Sequence, residues 1–182
     1  MSVTKVNADV FDLTDAYAFS GAVTGTDGGM TLGTPVASTS GTTIDFTGIP
    51  SGVKRITINF QGISTDGTNV IIVQLGDAGG FEDSGYLAAG ITVASIAART
   101  DSFPLSQNSA TGALYHGTLH CNLLSASAFT WIASGTFVRS DGPYEIHAAG
   151  SKSLSAELTQ VRITSVSADD FDAGAVNISF ES

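Results

Sequence analysis

The sequence predicts an all-β fold, an antiparallel β-sandwich or jelly-roll-like domain preceded by a short N-terminal arm. Ser, Thr and Gly together fill 64 of the 182 positions, and these residues favour strands and turns over helices. Apolar and polar residues alternate along several short segments, whereas no run of ten or more residues combines a helical period with helix caps. Because a parallel sheet would need helical crossovers, we expect the strands to be antiparallel.

The chain is divided by a glycine-rich stretch. Residues 3–33 scatter apolar side chains among Asp and Gly, and residues 25–33 contain four glycines, which is typical of turns or linkers. We place the boundary near residue 35, with an arm for anchoring or oligomerisation over residues 1–35 and the β-sandwich over residues 36–182. The arm either extends to a partner or adds strands to the main domain.

Nine strands are predicted in the main domain. Residues 53–63 show the clearest pattern, because Ile56, Ile58 and Phe60 alternate with polar residues as in a sheet with one dry and one wet face. Residues 70–73 are apolar throughout, which predicts a strand at the centre of a sheet. The nine predicted strands are residues 42–47, 53–63, 69–76, 86–93, 113–124, 129–138, 144–149, 158–166 and 175–181.

Composition excludes several classes of function. The chain has 17 acidic and 7 basic residues, a net charge of −10, and no cluster of Lys or Arg, so we expect no nucleic-acid partner. Its apolar runs are too short for a membrane helix, and its first residues lack a secretory pattern, so we expect synthesis in a cytoplasm without membrane insertion. Cys121 is the single cysteine, which excludes an internal disulfide and predicts a small core residue.

Motifs for catalysis are weak, and we predict no catalytic residue, no metal and no cofactor. Residues 76–80 read Gly-Asp-Ala-Gly-Gly, similar to the nucleophile loop of trypsin-like proteases, but Ala78 stands where the serine would be. His116 and His120 on one strand would lie about 13 Å apart, too far for one metal ion. Residues 169–172 hold three carboxylates without the ligand spacing of a calcium loop, and we interpret them as a solvated turn.

Two tyrosines are the candidates for ligand recognition. Tyr86 and Tyr144 each follow a polar loop at the start of a predicted strand, close to Asp83 and Asp141 respectively. A tyrosine ring in such a place can stack on a sugar while a carboxylate accepts hydroxyl hydrogen bonds. The alternative is that both tyrosines pack at sheet edges. The candidate recognition loops are residues 76–85, 106–112 and 140–142.

Several segments of the main domain form an ordered set of motifs, among them Phe-Thr-Gly-Ile-Pro at residues 46–50 and Gln-Leu-Gly-Asp-Ala-Gly-Gly at residues 74–80. The other segments are residues 53–57, 62–68, 131–135, 149–156 and 161–164, followed by residues 171–174. This set resembles a module of tailed-phage virion proteins, often found within tail fibres. The resemblance covers about residues 42–180 and implies a β-sandwich carried on a virion, usually in a trimeric fibre. It supplies no catalytic residues, and the chain is short for a complete fibre.

From these observations we expect a non-enzymatic virion structural protein, a short trimeric tail fibre or related appendage that contributes to host attachment. Its partners would be copies of itself, other tail, baseplate or capsid proteins, and a host surface glycan. Its location would be the virion surface. The alternatives are a capsid decoration or head-fibre protein, and a stand-alone carbohydrate-binding module.

Overall fold

The computed structural model describes residues 29–92, 96–105, 110–142 and 144–182. These residues form two antiparallel sheets that pack face to face, and no helix occurs among them. The predicted all-β sandwich is therefore confirmed. The strands are β1 (Thr31–Leu32), β2 (Val36–Ala37), β3 (Thr43–Thr47), β4 (Arg55–Thr65), β5 (Ile71–Asp77), β6 (Gly80–Phe81), β7 (Tyr86–Thr92), β8 (Ile96–Arg99), β9 (Phe103–Pro104), β10 (Tyr115–Ser125), β11 (Thr130–Arg139), β12 (Tyr144–Ser153), β13 (Gln160–Ser165) and β14 (Phe171–Glu181).

The two sheets differ in size. The larger has nine strands in the order β1-β14-β4-β10-β11-β12-β7-β8, with β2 also paired to β14. The smaller has five strands in the order β3-β13-β5-β6, with β9 also paired to β5. Strands β4, β10 and β11 thus lie in the middle of the larger sheet, and β7 and β8 form one of its margins.

Alternation along the strands sets which side chains enter the core. In β4, Ile56 and Ile58 are fully buried between the sheets, whereas Arg55 is exposed and Thr57 is half-buried. The nearly continuous apolar strand β5 lies inside the smaller sheet between β13 and β6, as its pattern predicts. The sequence pattern and the sheet position therefore agree for both strands.

Aromatic rings fill much of the core. Phe60 and Phe137 meet edge to face with ring centres 5.7 Å apart, and Tyr86 and Phe103 do so at 5.0 Å. Such edge-to-face pairs add about 1 kcal/mol beyond the burial of apolar area. Cys121 is fully buried, and burial raises the pKa of its thiol to about 12, so this residue is the small core side chain that the sequence predicts.

The nine predicted strands all occur, with ends that shift by a few residues, and the described residues add five short strands. Two of these, β1 and β2, pair with β14, so β1 places part of the predicted arm in the larger sheet. Residues 1–28, which hold most of the predicted arm, lie outside the described residues, and the anchoring role of the arm stays a prediction. Within the described ranges, no helix has the length and hydropathy needed to cross a membrane.

Candidate recognition site

Tyr144 lies in a cluster of charged and aromatic side chains at one end of the larger sheet. Its ring is 46% exposed, and the guanidinium carbon of Arg139 lies 4.9 Å from the ring centre. Arg139 also faces the ring of the buried Tyr115 at 5.9 Å. Its Nε and Nη2 donate to the two carboxylate oxygens of Asp141, at 3.0 and 2.5 Å.

The register explains this cluster. Arg139 pairs with Tyr115 on one side and with Tyr144 on the other, so the three side chains form one row across β10, β11 and β12. The hydrogen bonds from Arg139 hold the pKa of Asp141 below its ordinary value, which keeps the carboxylate charged. An exposed ring beside an ordered carboxylate is an arrangement that can stack on a sugar and accept its hydroxyl hydrogen bonds. Sequence reasoning identified Tyr144 and Asp141 but missed Arg139. The alternation of side chains along β11 places Arg139 on the inward face, and this position is the signal that could have identified it.

Tyr86 occupies a different environment, and the prediction that it presents its ring to a ligand is wrong. The ring is fully buried, and the hydroxyl accepts a hydrogen bond from the backbone N–H of Leu75 at 2.7 Å. The same hydroxyl donates to the backbone carbonyl of Glu82 at 3.1 Å. Burial raises the pKa of Tyr86 well above its ordinary value. Tyr86 is thus a core residue, in line with the packing alternative.

A buried lysine lies against the Tyr86 ring. Lys152 is 4% exposed, pairs with the carboxylate of Glu82, and places its Nζ 5.3 Å from the centre of the Tyr86 ring. Burial alone would raise the pKa of Glu82, but hydrogen bonds from Lys152 and from the backbone N–H of Ser155 bring it below its ordinary value. The loop that contains Glu82 is therefore fixed to β12 by charge and hydrogen bonding.

The two predicted recognition pairs, Tyr86 with Asp83 and Tyr144 with Asp141, do not form one surface. Tyr86 is paired with Lys152, and Tyr144 lies eight residues earlier in the same strand β12, which places the two tyrosines about 26 Å apart. Asp83 is exposed in the loop beside Tyr86, at the opposite end of the larger sheet from Asp141.

The three predicted recognition loops divide in the same way. Residues 110–112 and 140–142 lie near each other, because Ser140 donates its backbone N–H to the carbonyl of Leu114, two residues after Gly112. Residues 76–85 lie at the other end. Residues 106–109 lie outside the described residues. The structure thus supports one compact candidate surface, around Tyr144.

The glycine-rich segment of residues 76–80 covers the end of β5, a two-residue turn and the first residue of β6. The side chain of Asp77 accepts hydrogen bonds from the Ser155 hydroxyl at 2.5 Å and from the Gly79 N–H at 2.7 Å, and these two bonds lower its pKa. The carboxylate is buried and engaged in fixing the turn. The segment is therefore a structural turn, and Ala78 stands where a nucleophilic serine would be.

A hydroxyl, an imidazole and a carboxylate lie together on the outer face of the larger sheet. Sequence reasoning missed this arrangement. Nδ1 of His147 lies 3.3 Å from the Thr136 hydroxyl, and its Nε2 lies 3.2 Å from Glu145. The side chains of His147 and Glu145 are more than half exposed. The neighbouring backbone N–H groups belong to paired strands, so they are not available as an oxyanion hole. The register of β11 and β12 brings these groups together, and no local motif announces it.

Two carboxylates of the acidic segment at residues 169–172 have structural partners. Asp169 accepts from the side chain and the backbone N–H of Asn69, and Asp172 accepts from the Ser64 hydroxyl, so these carboxylates connect neighbouring loops. In the ranges that the structure describes, no three His, Cys, Asp or Glu side chains converge as a metal site would require.

An apolar stripe runs along the β7–β8 margin on the outer face of the larger sheet. Leu87 and Ile96 are 75% and 70% exposed, and Ile91, which pairs with Ile96, is also exposed. Ala89 and Ala98 form the cross-strand pair between them. The stripe is accessible although it is apolar, which is typical of an association surface. Sequence reasoning missed it because residues 86–93 show no strict polar alternation.

A partly open apolar pocket lies at the end of the sandwich that is opposite Tyr144. It has a volume of about 130 Å³ and lies between Val53, Leu123, Phe129, Trp131 and Leu158. Lys54 and Glu157 also line the pocket and are both exposed at its mouth. The indole Nε1 of Trp131 is buried and finds no hydrogen-bond acceptor among the described residues.

Comparisons with known proteins leave the family open. No protein-family model matches this chain. A search of curated proteins and a search of solved structures also gave no significant match. The function is therefore inferred from the residues, from the resemblance carried by the sequence, and from the geometry described above.

Proposed function

We propose that this chain is a non-enzymatic structural protein of a tailed-phage virion, a short trimeric tail fibre or related appendage that contributes to host attachment. The sandwich would face outward and touch the host surface, and the arm of residues 1–35 would anchor the protein to tail, baseplate or capsid proteins. The resemblance of residues 42–180 to virion modules supports this assignment, and the β-sandwich is the fold that the resemblance implies.

The observation that carries the self-association part of the proposal is the apolar stripe of Leu87, Ile91 and Ile96. Three large aliphatic side chains exposed on one face of the sheet cost free energy in water, at about 25 cal/mol for each Å² of apolar area. A second copy of the chain would remove this area from water. Around a three-fold axis, each copy would use its stripe against a different patch of its neighbour.

Light scattering on the full chain tests this assembly. We expect a particle of three times the 18.5 kDa chain mass. The double variant Leu87→Ser, Ile96→Ser should dissociate to monomers, because both side chains leave the stripe while the core stays intact. A monomeric wild-type protein would contradict the proposal.

Leu124→Ser is the matched control. Leu124 is also a large exposed aliphatic residue on the larger sheet, but it lies near the hairpin between β10 and β11, three strands away from β7. The control should keep the wild-type mass. If it dissociates as readily as the double variant, the stripe is not the specific contact.

The position on the virion separates the tail fibre from a capsid decoration or head-fibre protein. Antibody labelling of particles, viewed by electron microscopy, should mark the tail end. Labelling confined to the head would support the decoration role instead, and the absence of the chain from purified particles would overturn both.

A carbohydrate-binding role has a specific observation in its favour, the exposed Tyr144 ring beside the ordered Asp141 carboxylate. Host attachment through a surface glycan would use this cluster. A glycan array probed with the purified protein tests it, and binding that survives Tyr144→Ala would place recognition elsewhere.

A further inference from the structure

A second pocket opens on the outer face of the larger sheet, and its walls are polar side chains. This outer-face pocket has a volume of about 350 Å³ and is lined by Thr118, His120, Ser134, Thr136 and His147, with two small residues between them. From its place and chemistry we infer that it receives the apolar stripe of a neighbouring copy of the chain. The inference rests on the proposed trimer and deepens it, because it names the patch against which the stripe packs.

The strand register places the outer-face pocket and the stripe on the same face. Thr118 pairs with Thr136, Thr136 with His147, and His147 with Ile91 of the stripe. Side chains of directly opposite residues point to the same side of a sheet. The pocket is centred on β11 and the stripe on β7 and β8, so their centres lie roughly 12 Å apart. Each copy therefore presents two different patches side by side.

A closed trimer needs two different patches on every copy. Around a three-fold axis the contacts are heterologous, so one patch of each copy meets another patch of the next copy. With the three outer faces turned toward the axis, the stripe of each copy faces the outer-face pocket of its neighbour. An interface of standard size uses about 20–30 residues of each partner, so the contact extends well beyond the three residues of the stripe.

Charged residues are absent from the middle of this face. Within the described ranges, the outward-facing side chains of β10 and β11 include no Asp, Glu, Lys or Arg, and β12 contributes only Glu145 near its start. The chain as a whole has 17 acidic residues and a net charge of −10. Depletion of charge is typical of the core of a protein interface, and it favours a protein partner for this face.

The polar groups of the pocket already bind one another. Nδ1 of His120 lies 3.1 Å from the Thr57 hydroxyl, and its Nε2 lies 3.4 Å from the Thr118 hydroxyl. His147 has the Thr136 hydroxyl and a neighbouring carboxylate as the partners of its two ring nitrogens. Burial of a polar group costs free energy mainly when its hydrogen bond is lost. Aliphatic side chains can therefore cover this pocket without leaving its imidazoles unpaired.

The size of the pocket fits two aliphatic side chains. Its volume is more than twice the roughly 150 Å³ of an engineered apolar cavity that holds one benzene ring. Ile91 and Ile96 are directly opposite each other on β7 and β8, so their side chains lie together and are both exposed. This isoleucine pair of one copy fills the outer-face pocket of the next.

Ser134→Arg tests the pocket. Ser134 is exposed, and the arginine side chain would occupy the pocket and bring a charge into the interface, so light scattering should find the 18.5 kDa monomer. Ser134→Ala leaves the pocket open and should keep the trimer mass. Thr47→Arg is the matched control, because Thr47 is an exposed residue of the smaller sheet, and it should also stay trimeric. A trimeric Ser134→Arg protein would overturn the inference.

Mixing two monomeric variants tests which patches meet. The double variant Leu87→Ser, Ile96→Ser has lost the stripe but keeps the pocket, whereas Ser134→Arg keeps the stripe and has lost the pocket. An equimolar mixture at high protein concentration should form a particle of two chains through the one intact contact, although each variant alone stays monomeric. If the mixture also stays monomeric, the stripe packs against another surface and the inference is wrong.

Circular dichroism checks that Ser134→Arg keeps the fold. Thr136→Glu, which also puts a charge into the pocket from an exposed position, takes its place if Ser134→Arg does not fold. A monomeric wild-type protein would contradict the proposed trimer itself. A wild-type trimer that survives both charged variants would overturn only the assignment of the pocket, so the two failures are distinguishable.

Discussion

The Nζ atom of Lys152 lies 5.3 Å from the centre of the Tyr86 ring, and both side chains are buried at one end of the sandwich. The ammonium group also pairs with Glu82, so a charge, an aromatic face and a carboxylate share one site. This arrangement removes Tyr86 from any role as an exposed platform and makes it part of a polar cluster that fixes the loop before β7.

Lys152→Met should destabilise the protein by about 2–4 kcal/mol, because it leaves the partly buried carboxylate of Glu82 without its cation. Urea denaturation followed by circular dichroism measures the loss. The double variant Lys152→Met, Glu82→Gln should recover part of it, since the orphaned charge is gone. A double variant less stable than the single one would contradict this explanation.

Tyr86→Phe should cost about 1–3 kcal/mol, because the buried N–H of Leu75 loses its hydrogen-bond acceptor. Tyr144→Phe is the matched change at an exposed tyrosine and should alter the free energy of unfolding by less than about 0.5 kcal/mol. Thermal unfolding measures the loss of stability in each variant. Equal losses in the two variants would indicate that the hydrogen bond to the Tyr86 hydroxyl makes no specific contribution.

Stability should fall on acidification in part through Glu82. Its folded pKa is below the ordinary value of 4.5, so its contribution is fully present above pH 4.5 and is lost as the pH falls through the folded pKa. Glu82→Gln should flatten the dependence of the unfolding free energy on pH in this acidic range. Lys152→Met should flatten it as well, because Lys152 provides the main stabilising contact. An unchanged slope in both variants would contradict the assignment.

Gly117→Ala should destabilise the protein by about 3 kcal/mol or more. Its φ is +155°, and a Cβ atom there would lie 2.2 Å from the carbonyl oxygen of Thr136 in the neighbouring strand. Gly112→Ala also places Ala at a positive φ, but into open space, and should cost about 1 kcal/mol. Denaturant titration of both variants gives the comparison, and equal losses would exclude the close strand approach as the cause.

Tyr144→Ala should abolish any glycan binding by the purified protein, whereas Asp83→Asn should leave it unchanged. The reason is the separation of the two candidate pairs, which lie at opposite ends of the larger sheet. Titration with a glycan that binds the wild-type protein measures the two affinities. Loss of binding with Asp83→Asn would place the recognition surface at the other end.

The alternation of apolar and polar residues, together with the composition, was sufficient to predict the nine longer strands. Ile56, Ile58 and Phe60 repeat every second residue, and the pleat of an extended chain turns that repeat into one dry face. The five short strands escaped prediction because two to four residues are too few to show a period, and their pairing with β5, β7 and β14 is decided by the rest of the sheet.

The sequence by itself determined that the chain forms an antiparallel sandwich whose single cysteine lies in the core. Only the tertiary structure decided the fate of the candidate site, because cross-strand register is a long-range property. That register placed Lys152 against Tyr86, set Arg139 beside Tyr144, and paired Ile91 with Ile96 in the exposed stripe. Local sequence cannot reveal such contacts, since the partners come from segments that meet only when the sheets form.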